Sequence, residues 1–375
     1  MIPRSTSAAV LREYSKPLTV EEVPLPELVP GALVIEVDAS TICGADSHMR
    51  TGVLARRDDM PGSVLPIVLG HEYTGTIVAA QDRPVDATGQ PLALGDRIVF
   101  AYPRCGRCYW CVIAGQPTLC MENRPYGWGP CDEWPYATGG FAQHMFVRPE
   151  CHVIKVPPSL DPFVVSSTTC ALRTVMHAYE RLGAVHEPQF EDTVVVLGSG
   201  SVGLYAVAVA KARGVKRVIN VGTPADRLEI ARSWGADDTF DIATTSAEER
   251  IERVRDATQG RGADVVIDCA GPSVAFEDSL KLVRDAGTVV EVGAAAQEMV
   301  SFKPWVFNMK MVTVTGNLSG GTRHYHRAIE FIERHGSTFD FGAILSEPRP
   351  LSEANEAIDA IHDQSEIKPT VAPRG

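Results

Sequence analysis

Ten residues constrain this chain more than any other stretch: Val194-Val195-Val196-Leu197-Gly198-Ser199-Gly200-Ser201-Val202-Gly203. Four apolar residues run into a G-x-G-x-x-G, which opens a helix-like segment from Gly203 to Arg213. In that setting each glycine has its own task. Gly198 permits a tight turn, Gly200 lets the backbone approach a pyrophosphate, and Gly203 lets helix and strand pack closely. The free N–H groups of the helix start then face the phosphates. A glycine-rich turn without a ligand is the competing reading, and the strand–turn–helix context weighs against it.

The surrounding sequence repeats this texture. Apolar runs at Val194 to Leu197, Arg217 to Val221, Asp264 to Asp268, Thr288 to Val292 and Val312 to Thr315 read as strands. Helix-like segments such as Pro224 to Trp234 and Ser246 to Thr258 separate them. Continuous Val/Ile-rich strands alternating with helices predict an α/β domain with a doubly wound parallel sheet covered on both faces. Before about residue 150 the texture differs, with Pro, Gly and short runs at Leu33 to Val37, Thr74 to Val78 and Asp96 to Phe100. These predict an irregular β domain, a barrel. At 375 residues the chain exceeds one ordinary core, so two domains are expected. The tail predicts helices near Arg327 to Arg334 and Ser352 to Asp363. A long loop is expected over Met121 to Thr138, its aromatics Tyr126, Trp128, Trp134 and Tyr136 either shaping a pocket or packing on the barrel.

The net charge of −12 argues against a nucleic-acid partner, because phosphate binding needs clustered Lys and Arg. No apolar run has the length of a membrane span, and residues 1–7 lack the apolar core of a secretory signal. A soluble cytoplasmic protein without a membrane partner is therefore expected. Nine cysteines are unevenly spread, and in a reducing compartment a cluster of them favours metal over disulfides. Cys105-x-x-Cys108-x-x-Cys111 followed by Cys120 is such a cluster: four thiolates in a short loop can close a tetrahedral structural zinc site. Cys43, His71, Glu72 and Cys170 are dispersed, and taken singly each reads as a packed thiol or a satisfied polar residue.

A dinucleotide site that prefers NAD usually ends its second strand in Asp or Glu, about twenty residues after the glycines. Here Arg217-Val218-Ile219-Asn220-Val221 is followed by Gly222 and Thr223, and the carboxylate is missing. Arg227 is the nearest cation for a 2′-phosphate, and it equally suits a solvated helix face. NAD and NADP both stay open.

Taken together, the motifs resemble the medium-chain, zinc-containing alcohol dehydrogenases, in the branch similar to sorbitol and threonine dehydrogenases. The likeness rests on Cys43-Gly44 with Asp46 and His48, Gly70-His71-Glu72, the Cys105 to Cys120 loop, Gly139-Gly140-Phe141-Ala142, Cys170 with Thr174, and Gly198 to Gly203. It implies a GroES-like catalytic domain over 1–162, completed by 320–375, and an inserted Rossmann domain over 163–319, with the active site in the cleft. By position, Cys43, His71 and Cys170 would bind a catalytic zinc, with Glu72 beneath as a transient ligand. Thr174 would face the nicotinamide and His48 would export the proton. Ser201, Val202, Gly222, Thr223, Arg227 and Val292 would join Gly198, Gly200 and Gly203 in binding the cofactor, with Lys368 near its phosphates. Two thiolates and a neutral imidazole leave a fourth position for water or alcohol. The implied activity is hydride transfer between an alcohol and NAD or NADP, in a homodimer or homotetramer.

Several departures from the family pattern stand out. Ala45 occupies the place where many relatives carry a Ser or Thr that hands the proton onward, with Ser47 a substitute. Eight residues separate Cys111 from Cys120, one more than usual. Cys131, Cys151 and Cys269 read as packed thiols, and Arg173 is expected to point outward, since a buried unpaired charge is costly, the alternative being contact with cofactor phosphate or an anionic substrate. Trp110 and the loop aromatics favour a bulky or cyclic secondary alcohol. The competing functions are an aldehyde or ketone reductase, a formaldehyde-dismutase-like enzyme, and a non-catalytic dinucleotide-binding protein favoured only by Ala45.

Overall fold

A computed structural model of the protein describes residues 3–56, 65–82, 84–123, 125–293 and 299–375. The chain forms two compact units: Met1–Cys170 with Gly320–Glu333 and Ile344–Gly375, and Ala171–Ser319 with Arg334–Ala343.

The first unit is built on β-structure. Its larger sheet runs Arg349–Pro350, Thr370–Ala372, Leu33–Thr41, Glu72–Ala80, Arg97–Ala101 and His152–Lys155, with His144–Val147 also paired to Leu33–Thr41. Leu33, Ile35, Val37, Ile77, Ile98 and Phe100 are buried together in its interior. The strand expected from Leu33 to Val37 continues to Thr41. The last strand is antiparallel to this one, with Thr370 opposite Thr41, and Thr41 is opposite Glu72 on the other side. That register brings three remote stretches of chain side by side. Among its described residues the segment 121–138 contributes an isolated bridge, Ile67 with Pro130, and Tyr126 is a core residue whose hydroxyl donates to Phe146 O at 2.8 Å.

The second unit is a six-stranded, wholly parallel sheet in the order Asp238–Asp241, Arg217–Gly222, Thr193–Leu197, Ala263–Asp268, Val283–Glu291, Thr313–Gly316. Val194, Val195 and Val196 have no exposed surface, as a central strand covered on both faces requires. Six strands replace the five expected. Asp238–Asp241, sequence DTFD, was missed because an edge strand with one buried apolar residue lacks the Val/Ile run that marks its neighbours. The helix Ser273–Leu282 was missed as well. Among the described residues no helix is long and apolar enough to cross a membrane.

The glycine turn sits where strand Thr193–Leu197 passes into helix Ser201–Ala212. A Cβ on Gly203 would stand 2.0 Å from Gly198 O, so only hydrogen fits. Gly203→Ala is expected to cost about 1–3 kcal/mol through this overlap, read as a lowered urea midpoint with an unchanged slope.

Candidate functional site

Cys43 precedes the helix Gly44–Arg50, His71 immediately precedes the strand Glu72–Ala80 that Glu72 opens, and Cys170 lies in a π-helical turn, Thr168–Leu172. One ligand atom from each of Cys43, His71, Glu72 and Cys170 falls within 4.8 Å of the others. The dispersed residues therefore form one cluster, inside the first unit. Gly70, at φ +90°, makes the turn that presents His71.

The partners of these side chains are specific. Asp46, buried on the helix after Cys43, lies with Oδ1 2.9 Å from His71 Nδ1 and accepts from Cys43 N at 3.0 Å through Oδ2. Nδ1 is thus occupied as a donor, and Nε2 is left as the ligating atom. Burial lowers the basicity of His71, and Asp46 together with Cys170 outweighs it, so the imidazole is held well above its ordinary pKa. Glu72 has both oxygens engaged: Lys368 Nζ donates at 2.6 Å and Thr41 Oγ1 at 2.5 Å. Burial pushes its carboxyl up to about 7 while Lys368 draws it down. Burial would lower Lys368, and Glu72, then Cys43 and Cys170, hold it above its ordinary value. A hydrogen bond to Cys170, in which Cys43 keeps the proton, and then burial push the Cys43 thiol well up. Two sulfurs and a buried imidazole crowded this way fit a divalent cation, which would offset their mutual repulsion as thiolates.

Two expectations change here, those for Lys368 and Arg173. Lys368 is fully buried on Glu72 rather than free for a phosphate, because pairing of the tail strand seats it there. Ser47 directs its hydroxyl to His362 Nδ1 at 3.2 Å, on the helix Ala354–His362. Arg173 is 2% exposed rather than pointing outward. His48 is half-buried, and burial, then His362, lowers its pKa.

Cys105, Cys108, Cys111 and Cys120 form a second group within 4.8 Å. Backbone N–H groups are aimed at sulfur: Cys108 N at Cys105 Sγ, 3.3 Å, and Cys105 N at Cys120 Sγ, 3.4 Å. The Cys111 N–H draws the Cys108 thiol down to about 6. The longer Cys111 to Cys120 segment is accommodated by a left-handed Gly115, φ +62°, and the short turn Pro117–Leu119.

In the second unit a Cβ on Gly200 would meet nothing within 4 Å, the open approach that a pyrophosphate needs. Asn220 Nδ2, on the neighbouring strand, donates to Val196 O at 3.1 Å and Gly198 O at 2.9 Å, bracing the turn. Ser199 Oγ donates to Thr223 O at 2.8 Å and accepts from Thr223 N at 3.1 Å. Ser201 and Val202 open the helix, and Val292 N donates to Asp268 O at 2.9 Å. Arg227 is buried on the helix Ala225–Ser233, and burial lowers its pKa. Thr174 lies on the helix Arg173–Gly183. Asp268 and Glu291, in register at the ends of adjacent strands, face each other. Burial raises Asp268 to about 6; burial, then Asp268, raises Glu291 to about 8. Sequence reasoning missed Asp46 as a partner of His71, although it stands in the Cys-Gly-x-Asp-x-His stretch. It also missed Asn220, Ser199 and this carboxyl pair, which carry no local pattern.

Residues 29–158 match the family described as the alcohol dehydrogenase GroES-like domain, and residues 201–334 the family described as zinc-binding dehydrogenase. The chain is 30% identical over 374 residues to a 5-exo-hydroxycamphor dehydrogenase of Pseudomonas putida, covering 97% of this chain and 98% of the relative. It is 32% identical to an erythritol/L-threitol dehydrogenase of Mycolicibacterium smegmatis, covering 94% of each. The fold superposes with a TM-score of 0.91 and 31% identity on an alcohol dehydrogenase from Thermotoga maritima, covering 98% of this chain and 99% of that one. A zinc-binding dehydrogenase from Sinorhizobium meliloti, solved bound to NADP, matches with a TM-score of 0.83 at 28% identity, covering 98% and 99%.

Two outcomes are expected from this geometry. Asp46→Asn should weaken metal retention at the Cys43 cluster by about 10- to 100-fold, measured by competition with a chromophoric chelator. Because Glu291 keeps a proton that an unfolded carboxyl gives up near pH 4–5, folding stability should fall as pH rises from there through about 8. Thermal melts of Glu291→Gln should show that slope flattened.

Proposed function

The chain belongs to the medium-chain, zinc-containing alcohol dehydrogenase family, and on that premise we propose that it moves hydride between an alcohol and NAD or NADP at a zinc held by Cys43, His71 and Cys170. The observation that carries this reading is the convergence of those residues with Glu72 within 4.8 Å. Zinc in this site acts as a Lewis acid that lowers the pKa of the alcohol hydroxyl. Everything else falls to the chain's own residues. Asp46 fixes the orientation of His71 and leaves Nε2 toward the cluster. Glu72 is locked beside the cluster by Lys368 and Thr41, which take both of its carboxyl oxygens. Cys105, Cys108, Cys111 and Cys120 would hold a second zinc in a structural role, four sulfurs being a full tetrahedral donor set. In the second unit Gly198, Gly200 and Gly203 would hold the dinucleotide, the open backbone at Gly200 leaving room for its pyrophosphate.

The proton released from the alcohol needs an acceptor, and Ala45 offers none. His48 takes this role at a ring nitrogen. Burial and His362 keep its imidazole neutral near pH 7, the form that can accept a proton.

For the substrate, a bulky or cyclic secondary alcohol is the reading supported best. Trp128 lies with its ring centroid 5.4 Å from that of His71, an apolar wall beside the cluster. The relative named for a hydroxycamphor supports the same class.

Removing the metal, Cys43→Ser and His71→Ala should each reduce alcohol-dependent NAD(P) reduction by at least about 10³-fold. Full turnover by a metal-free preparation would sink the proposal. A panel of linear, branched and cyclic alcohols assayed with both dinucleotides decides the substrate class.

A further inference from the structure

Gly222 ends the strand Arg217–Gly222 and Asp241 ends the edge strand Asp238–Asp241. The two residues are direct partners in the parallel ladder. Opposed residues on neighbouring strands present their side chains on the same face of a sheet, about 4.8 Å apart. Asp241 therefore projects on the face where a Gly222 side chain would stand, one strand farther out.

The position at Gly222 is closed to a carboxylate. A Cβ there would lie 2.4 Å from Ser199 Oγ and 2.8 Å from Ser199 N. Ser199 cannot swing away without loss, because its hydroxyl is bonded to both N and O of Thr223. Asp241 is held firmly instead. Ile242 N donates to Gly222 O at 3.0 Å, which keeps the chain after Asp241 against the second strand. Asp241 Oδ1 accepts from Ala243 N at 2.9 Å, and its backbone O accepts from Thr244 N and Thr245 N. Among the described residues Oδ2 has no partner. A cavity of about 400 Å³ adjoins it, lined among others by Ala225, Arg232, Asp241, Thr244 and Arg253.

We propose that Asp241, from the third strand in sequence, recognises the adenosine ribose hydroxyls in place of the absent carboxylate at Gly222, so that this chain selects NAD over NADP. The proposal rests on the dinucleotide reading of the glycine loop. A free Asp oxygen accepts from a ribose 2′-OH and repels a 2′-phosphate placed at the same point. The cations near it do not reverse that sign. Arg232 is paired with Glu229 and Arg253 with Glu249, so the lining holds no net positive charge to welcome a phosphate.

The test is direct binding to the zinc-replete enzyme, followed by the fluorescence of NADH and NADPH. The native protein should bind NADH at least about tenfold more tightly than NADPH. Asp241→Asn should shrink that ratio at least about fivefold, weakening NADH and strengthening NADPH. Asp241→Ser, which keeps an oxygen for Ala243 N, should do the same if the Asn variant folds poorly. A ratio unmoved by both substitutions, or a native preference for NADPH, would overturn the role of Asp241 and leave the glycine-loop reading standing. Failure of the native protein to bind either nucleotide would overturn both.

Discussion

Lys368 and Glu72, 296 positions apart in the chain, meet as a buried ion pair at 2.6 Å. Removing two charges from water is unfavourable unless geometry and further hydrogen bonds offset it. Here Thr41 takes the second carboxylate oxygen, so neither oxygen of Glu72 is left without a partner. The pair ties the C-terminal strand to the strand that presents His71, and the sheet register enforces it: Thr370 opposite Thr41, Thr41 opposite Glu72. The cluster around Cys43 thereby depends on the tail being in place.

From that anchor the donor set is assembled by unlike local structures. The turn into a strand supplies His71, a helix start supplies Cys43, and a π-helical turn supplies Cys170. Such an insertion in a helix alters which way one side chain points, and π turns recur at functional sites for that reason. Asp46 connects two of the three pieces through the His71 imidazole and the Cys43 backbone. Charge is balanced by placement: the carboxylates of Asp46 and Glu72 each have assigned partners, and the two thiols are left facing one another.

Much of this was legible beforehand, for identifiable reasons. The parallel sheet announced itself because strands covered on both faces must be apolar throughout, and Val194 to Val196 are. The four-cysteine lobe was legible because its ligands lie within sixteen residues, Cys105 to Cys120. Cys43, His71 and Cys170 became a set only through likeness to a family, since nothing in their spacing requires them to meet. Lys368 was expected near phosphates and is on Glu72, because a residue's partner is decided by the strand beside it. Asp238–Asp241 escaped notice because an edge strand need not be apolar, and with it went Asp241, the ladder partner of Gly222.

Sequence alone determined the properties that local chemistry dictates: where the chain turns at glycine, which runs must be buried, and which sulfurs sit close enough in the chain to share an ion. Tertiary structure decided the rest. It set Asp46 behind His71, turned Ser47 toward His362, buried Arg173, and laid Asp241 against Gly222. These pairings arise from register and packing between segments remote in sequence, and no local pattern encodes which remote neighbour a side chain will meet.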